Sequence, residues 1–147
     1  MPTMHFTVDG PVTDVELNAL HAAAFEHIDD QRSWLDRMER YSLFWVTARR
    51  DRLLVGFVNI VGDGGSHAVV LDTSVHPSVQ GMGIGTSLIR HAAAEAAARG
   101  CQWLHADYES RHASFYEQSC GMRRTCAGLL KLRLTLVRPC VDADRAR

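Results

Sequence analysis

A glycine-rich turn between a strand-like run and a helix constrains this chain more than any other stretch. Residues 75–86 read Val-His-Pro-Ser-Val-Gln-Gly-Met-Gly-Ile-Gly-Thr. An apolar run precedes the turn and an alanine-rich helical pattern follows it directly, so the turn lies at a helix N-terminus. Backbone N–H groups at this positive end of a helix dipole favour a phosphate. The alternate glycines lack the Cβ atoms that would keep a ligand away from the backbone.

Two familiar phosphate-binding turns do not fit this pattern. A Walker loop needs lysine before its Ser/Thr, whereas Gly85-Thr86 has no lysine nearby. A dinucleotide fingerprint has Gly-x-Gly-x-x-Gly spacing, which differs by one residue from the glycines found here. Only 40 residues follow Asp107, too few to complete a parallel dinucleotide-binding sheet. A tightly packed helix start without a ligand stays open as the plainer interpretation.

Size and composition bound the class of protein. A chain of 147 residues with 46% hydrophobic and 22% charged residues is typical of one globular domain. The first residues show no basic and then apolar signal segment, so we expect a cytoplasmic protein. The four cysteines have neither disulfide nor zinc spacing, and we expect no metal. Residues 111–147 carry a net charge of +5, which suits either a polyanionic ligand or a solvated face, while a pI near 6.7 argues against dedicated nucleic-acid binding.

Apolar periodicity predicts antiparallel hairpins first and one strand–helix–strand unit late in the chain. A Thr13/Glu16 capping box marks the first helix start, Asp30 is a candidate cap for the second helix, and Gly100 is a candidate left-handed C-terminal cap. The predicted strands are 4–8, 42–49, 53–61, 68–75, 101–107 and 129–137. The predicted helices are 13–25, 30–40, 84–99 and 112–118.

Two motifs together resemble one family. Gln80-x-x-Gly83-x-Gly85 resembles the acyl-CoA pyrophosphate loop of the GCN5-related N-acetyltransferases (GNAT). Phe-Tyr-Glu-Gln-x-Cys-Gly-Met, residues 115–122, resembles that family's late Phe-Tyr-Glu-Lys-x-x-Gly-Phe segment. The motifs occur in the family's order around one helix, and the resemblance covers about residues 53 to 131. It departs from the family at Glu109, where many members carry asparagine, and at His112, where alanine is usual.

The resemblance implies an α/β fold of the acyl-CoA N-acyltransferase type. Its sheet is mixed and mostly antiparallel, splayed between strands 4 and 5, and flanked by helices. We expect one such domain over residues 1–138 and a loose tail over 139–147.

The resemblance also implies acetyl-CoA as cosubstrate, bound in the gap between strands 4 and 5. Backbone groups of Thr73, Ser74 and Val75 would pair with its pantetheine arm like an added strand. The residues implied to line the pyrophosphate are Gln80, Gly81, Met82, Gly83, Gly85 and Thr86.

Direct acetyl transfer to an amine requires two proton transfers. By resemblance, Tyr116 protonates the leaving thiolate; the alternative is a buried tyrosine that packs beside Phe115. An ammonium group must also lose its proton, and Asp72, the one acid in an otherwise apolar strand, is the candidate base. The alternative for Asp72 is a hydrogen-bonded structural carboxylate.

We therefore expect transfer of an acetyl group from acetyl-CoA to an amine of a small molecule or protein in a ternary complex. The alternatives are an acyl-CoA-binding module without catalysis, and an acyltransferase that uses another acyl chain or an oxygen acceptor. No membrane partner is expected, nucleic acid is disfavoured, and a homodimer is favoured because dimers are common in the family. The aromatic residues near the two early helices and the acids Glu26, Asp29 and Asp30 are candidates for the acceptor pocket, with core packing and helix capping as the alternative.

Overall fold

Five strands form one mixed sheet in the computed structural model, which describes residues 3–133. The strands are β1 (Met4–Val8), β2 (Phe44–Arg50), β3 (Leu53–Gly62), β4 (His67–Val75) and β5 (Trp103–Ala106). They lie in the spatial order β1-β2-β3-β4-β5, with β1 to β4 antiparallel and β5 parallel to β4. The predicted α/β class with a mixed, mostly antiparallel sheet is confirmed.

Three helices flank the sheet. They are α1 (Asp14–Phe25), α2 (Trp34–Tyr41) and α3 (Ile84–Ala98). The predicted capping box is present, because Thr13 Oγ1 accepts from the Glu16 N–H while the Glu16 carboxylate accepts from the Thr13 N–H. Gly100 follows α3 with a left-handed φ of 92°, as predicted. Among residues 3–133, no helix has the length and apolar character needed to cross a membrane.

The helices cover both faces of the sheet and so make two separate cores. Helices α1 and α2 cover one face through Leu17, Leu20, Trp34 and Met38. Helix α3 covers the other face through Ile84, Leu88, Ile89, Ala92 and Ala96. Strand β3 is buried on both faces from Leu54 to Ile60, which explains its continuous apolar run.

Helix α2 begins at Trp34, four residues later than predicted, and Asp30 does not cap it. The Asn18 side chain holds the preceding loop instead: its amide donates to the Arg32 carbonyl and its oxygen accepts from the Arg32 N–H, both at 2.9 Å. Gln31 has a left-handed φ of 51°. A side chain distant in sequence therefore keeps this loop out of the helix.

The chain after β5 differs most from the sequence prediction. A 3₁₀ turn (Ser110–His112) and a π-helical turn (Ser114–Ser119) replace the single helix expected over 112–118. The strand expected over 129–137 is wrong for residues 129–133, which are irregular and exposed. Alternating leucines favour a strand with one buried face. Such a strand forms only where another strand pairs with it. Residues 134–137 and the expected tail over 139–147 lie outside the described residues.

Candidate active site

Strands β4 and β5 separate to form a wedge-shaped cleft. Their pairing ends at Val70 and Ala106, whereas β3 stays paired to β4 as far as Val75. The β5-facing edge of β4 is therefore free beyond Val70, which confirms the predicted splay between strands 4 and 5. The cleft has a volume of about 980 Å³. It lies between this strand edge, the N-terminus of α3, α1, and residues 108–119 after β5, which we call the tyrosine segment.

A β-bulge lies on the cleft wall at Asp72. The β3–β4 register shifts between Phe57 and Asn59, and Asp72 has a left-handed φ of 56°. Aspartate tolerates this conformation better than most residues do, and bulges redirect side chains near sites. The Asp72 Oδ2 atom accepts from Arg37 Nη2 at 2.9 Å, so this candidate base is ion-paired with α2.

The glycine-rich turn presents an open backbone to the cleft. Gly81 and Gly83 have φ of 76° and 78°, and a Cβ atom at either position would meet nothing within 4 Å. Within residues 3–133, the N–H groups of residues 83–86 donate to no backbone oxygen, whereas the Ser87 N–H donates to the Gly83 carbonyl. The turn is thus a row of unpaired donors at the positive end of α3.

The cleft brings together most of the predicted cofactor-binding residues. Those in its wall are Thr73, Val75, Gln80, Gly81, Gly83, Gly85 and Thr86. The side chains of Ser74 and Met82 are not part of the wall: Ser74 is buried and donates to the Asp72 carbonyl, and Met82 is largely exposed. The Gln80 amide folds back to donate to the Val75 carbonyl at 3.0 Å, which ties the turn to the end of β4.

Gly85 links the turn to the tyrosine segment. A Cβ atom at this position would lie 3.1 Å from both Cε2 and Cζ of Phe115. That separation is shorter than ordinary van der Waals contact between carbons. A larger residue at position 85 would therefore need the Phe115 ring to shift by a few tenths of an ångström.

Tyr116 occupies the cleft opposite β4. Its hydroxyl donates to Thr73 Oγ1 at 3.5 Å, its ring stacks on Tyr108 at 4.8 Å, and it packs edge-on against Phe115. Burial raises the pKa of the Tyr116 phenol, and the Thr73 hydrogen bond opposes that shift. The phenol therefore keeps its proton near neutral pH. It lies in a π-helical turn, a distortion that occurs frequently at functional sites.

The acceptor side of the cleft differs from the sequence prediction. Trp34 and Phe44 are buried in the two cores, and Trp45 Nε1 donates to a backbone carbonyl. The residue that the sequence analysis missed is His21, which lines the cleft from α1 beside Phe25. Its position, four residues after Leu17 on the sheet-facing side of α1, is the signal that could have identified it.

A family model identifies the class of protein. Residues 14–122 match the model of the Acetyltransferase (GNAT) family. The chain therefore belongs to the GNAT acetyltransferase family, whose activity is acetyl transfer from acetyl-CoA to an amine.

Individual relatives share the sequence or the fold. The chain is 34% identical over 92 residues to a mycothiol acetyltransferase of Nocardia farcinica, a match that covers 63% of this chain and 29% of that protein. The chain thus spans less than a third of the length of this curated relative. A GNAT family acetyltransferase from Streptococcus pneumoniae has a TM-score of 0.73 at 24% identity, over 90% of this chain and all of that one. One from Brucella melitensis, in complex with acetyl-CoA, has a TM-score of 0.63 at 21% identity, over 78% of this chain and 82% of that one. These two likenesses show the fold.

Proposed function

We propose that this chain transfers the acetyl group of acetyl-CoA to an amine of a small molecule or protein, by direct attack in a ternary complex. The observation that carries the proposal is the convergence of three features on one cleft: the free edge of β4, the row of unpaired N–H groups, and Tyr116. Family membership supports the same chemistry.

The cofactor end of the proposal rests on backbone geometry. A diphosphate suits the residue 81–86 turn because the unpaired donors and the helix dipole both favour negative charge. The residues that we assign to this end are Gln80, Gly81, Met82, Gly83, Gly85 and Thr86. The free edge at Thr73, Ser74 and Val75 suits the amide-bearing pantetheine arm, which would pair with it as an additional strand.

Tyr116 is the proposed acid. When the acetyl carbon–sulfur bond breaks, the thiolate requires a proton, and the phenol lies beside the end of β4 where the thioester would be placed. The pKa of the Tyr116 phenol is raised above about 10, whereas a thiol in water has a pKa of about 8.5. Transfer of a proton from the phenol to the thiolate therefore costs at least about 2 kcal/mol. Desolvation of the thiolate in the cleft would reduce this difference, since burial raises its pKa as well.

The acceptor must lose a proton before attack. For an alkyl ammonium with a pKa of about 10.4, this costs roughly 4.6 kcal/mol at pH 7. Asp72 stays a candidate for this base, although its pairing with Arg37 supports the alternative of a structural carboxylate. The cytoplasmic location and the homodimer stay predictions from the sequence.

Thiol release from acetyl-CoA, measured across alkylamines, arylamines and a lysine peptide, tests the proposal. Tyr116→Phe should lower kcat by about 100-fold, because general acid catalysis contributes on that scale, while the Kd for acetyl-CoA measured by calorimetry changes little. Tyr41→Phe is the matched control, since Tyr41 is an exposed tyrosine outside the cleft.

The outcomes separate the candidate functions. Folded protein that gives no calorimetric heat with acetyl-CoA would overturn the proposal as a whole. Heat without thiol release for any amine would instead favour an acyl-CoA-binding module. Turnover that is equal in wild type and Tyr116→Phe would remove Tyr116 from the acid role.

A further inference from the structure

His21 is a titratable side chain in the cleft to which the mechanism above gives no role. Helix α1 packs against β4, and His21 faces the cleft from α1 as Asp72 does from β4. Its ring centroid lies 4.5 Å from that of Phe25 and 5.3 Å from that of Trp34. Two aromatic neighbours therefore hold the imidazole in one place.

A hydrogen-bond chain determines which nitrogen of His21 carries the proton. His27 Nδ1 lies 2.6 Å from the Ile28 carbonyl oxygen, which only accepts, so His27 Nδ1 is protonated. In the neutral ring, His27 Nε2 then has a lone pair, and it lies 2.6 Å from His21 Nδ1. His21 Nδ1 must therefore donate to it, which leaves His21 Nε2 unprotonated in the neutral ring.

The loop that carries His27 is fixed to the body of the protein. Besides the two hydrogen bonds between the Asn18 side chain and the Arg32 backbone, the Asn18 oxygen accepts from Trp34 Nε1 at 2.8 Å in the buried core. The chain is thus anchored just beyond His27 by a buried amide. This anchoring supports a lasting orientation of the His27 ring toward His21.

We propose that His21 Nε2 is the base that takes the proton from the acceptor amine, with His27 as the residue that positions it. This inference rests on the proposed function and assigns the base within the same cleft. Asp72, which is paired with Arg37 and shares the cleft wall with His21, then supplies a negative charge that favours the imidazolium.

The charges around His21 suit a base that works near neutral pH. Burial lowers the pKa of His21, and its neighbours His27 and Arg32 lower it further, while Asp72 and Asp30 oppose the shift. The ring is therefore neutral at pH 7, and its lone pair is available. The charged groups that face it thus come from the loop after α1 and from β4, and Arg37 of α2 acts through its pair with Asp72.

The proton balance closes with two residues. His21 Nε2 takes one proton from the ammonium, the amine nitrogen forms its bond to the acetyl carbon, and the carbon–sulfur bond breaks. Tyr116 gives its proton to the sulfur and regains one from the acylated nitrogen. The products are the amide, the free thiol and one proton, which His21 releases to water.

The effect of His21→Gln should depend on the pKa of the acceptor. With an alkylamine at pH 7 we expect kcat/KM to fall by about 100-fold, since general base catalysis contributes on that scale. An arylamine, which is already neutral at pH 7, should lose less than about threefold, because no ammonium has to be deprotonated. His91→Gln is the matched control, because His91 lies on α3 against Phe6, outside the cleft.

The pH profile gives a second readout that a structural role would not change. In the wild type, kcat/KM for an alkylamine should rise as the pH increases through the His21 pKa, which lies below about 6.5, because the ring then becomes neutral. In His21→Gln the rise should move to the pKa of the amine itself, about 10.4. Equal losses for alkylamines and arylamines, or an unmoved profile with unchanged turnover, would overturn the assignment to His21. Absence of turnover in the wild type for every amine would instead refute the proposed function.

His27→Phe tests the positioning role. This change keeps a ring and removes the acceptor for His21 Nδ1–H, so kcat should fall by roughly tenfold while the Kd for acetyl-CoA stays unchanged. Long-range ¹H–¹⁵N spectra of the imidazoles should show His21 as the Nδ1–H tautomer in the wild type. The Nε2–H tautomer in the wild type would overturn the proposal without any activity measurement.

Discussion

The central strands and the segment after α3 differ sharply in packing. In β2 and β3, Val46, Val55, Val58 and Ile60 are fully buried between the helices. From residue 101 to residue 133, no side chain is fully buried. The cleft lies along the boundary between these two regions: the glycine-rich turn leads into α3 on the well-buried side, and Tyr116 belongs to the less buried segment.

The contrast shows how the protein divides its tasks. The proposed phosphate site needs its backbone donors held in place, and α3 supports them by burying Ile84 and Leu88 against the sheet. The proposed acid, Tyr116, lies instead in a segment with no fully buried side chain. Precision at Tyr116 then depends on a few contacts with the rigid region, chiefly Phe115 against Gly85 and the phenol against Thr73.

Truncation of an aliphatic side chain in each region should give the largest difference, measured as the loss in free energy of unfolding. Ile60→Ala should lower the free energy of unfolding by about 3 to 4 kcal/mol, because it opens a cavity in a fully buried site. Leu104→Ala in β5 removes a comparable volume from a half-buried site and should cost about 1 kcal/mol. Urea denaturation measures both values, and equal losses would refute the contrast in packing.

A negative charge placed in the glycine-rich turn should weaken acetyl-CoA binding, whereas the same charge in another turn should affect only stability. Gly83→Glu should weaken acetyl-CoA binding by at least about 100-fold, because a carboxylate next to a phosphate costs several kcal/mol. Gly64→Glu is the control: Gly64 has the same kind of left-handed φ, 80° against 78°, with nothing within 4 Å of its Cβ position. Both variants should lose similar stability from backbone strain. Calorimetry that finds equal acetyl-CoA affinity in the two variants would contradict the cradle.

A methyl group added at Gly85, between the two regions, tests whether the contact with Phe115 positions Tyr116. Gly85→Ala places a methyl group 3.1 Å from Phe115 and should displace the tyrosine segment, lowering kcat by roughly tenfold. Phe115→Leu should restore part of that loss, because it makes room for the methyl group. A double-mutant cycle on kcat measures the coupling. Additive effects would mean that Gly85 does not position Tyr116.

Local patterns were sufficient to predict the framework and the glycine-rich turn. The capping box, the β2–β3 hairpin and the turn at residues 80–86 are each specified by neighbouring residues, and the structure has all three. The motif at residues 115–122 was sufficient to single out Tyr116. Its place opposite Thr73 results from the separation of β4 and β5.

Features that depend on distant partners could not be predicted in the same way. Helix α2 starts late because Asn18, on another helix, holds Arg32. The bulge at Asp72 depends on the register with β3, and the pair of His21 and His27 depends on a loop folding back over α1. The leucines at 129–132 show the reverse case, in which a clear local pattern lacks a partner in the described structure.

The clamp at Asn18 has a consequence for engineering. The Asn18 side chain fixes the loop at Arg32 and Trp34. The sequence of segment 28–31 could therefore be changed without disturbing the sheet or the glycine-rich turn. The side chains of residues 28–31 are exposed, so they can be varied while the backbone carbonyl of Ile28 still accepts from His27.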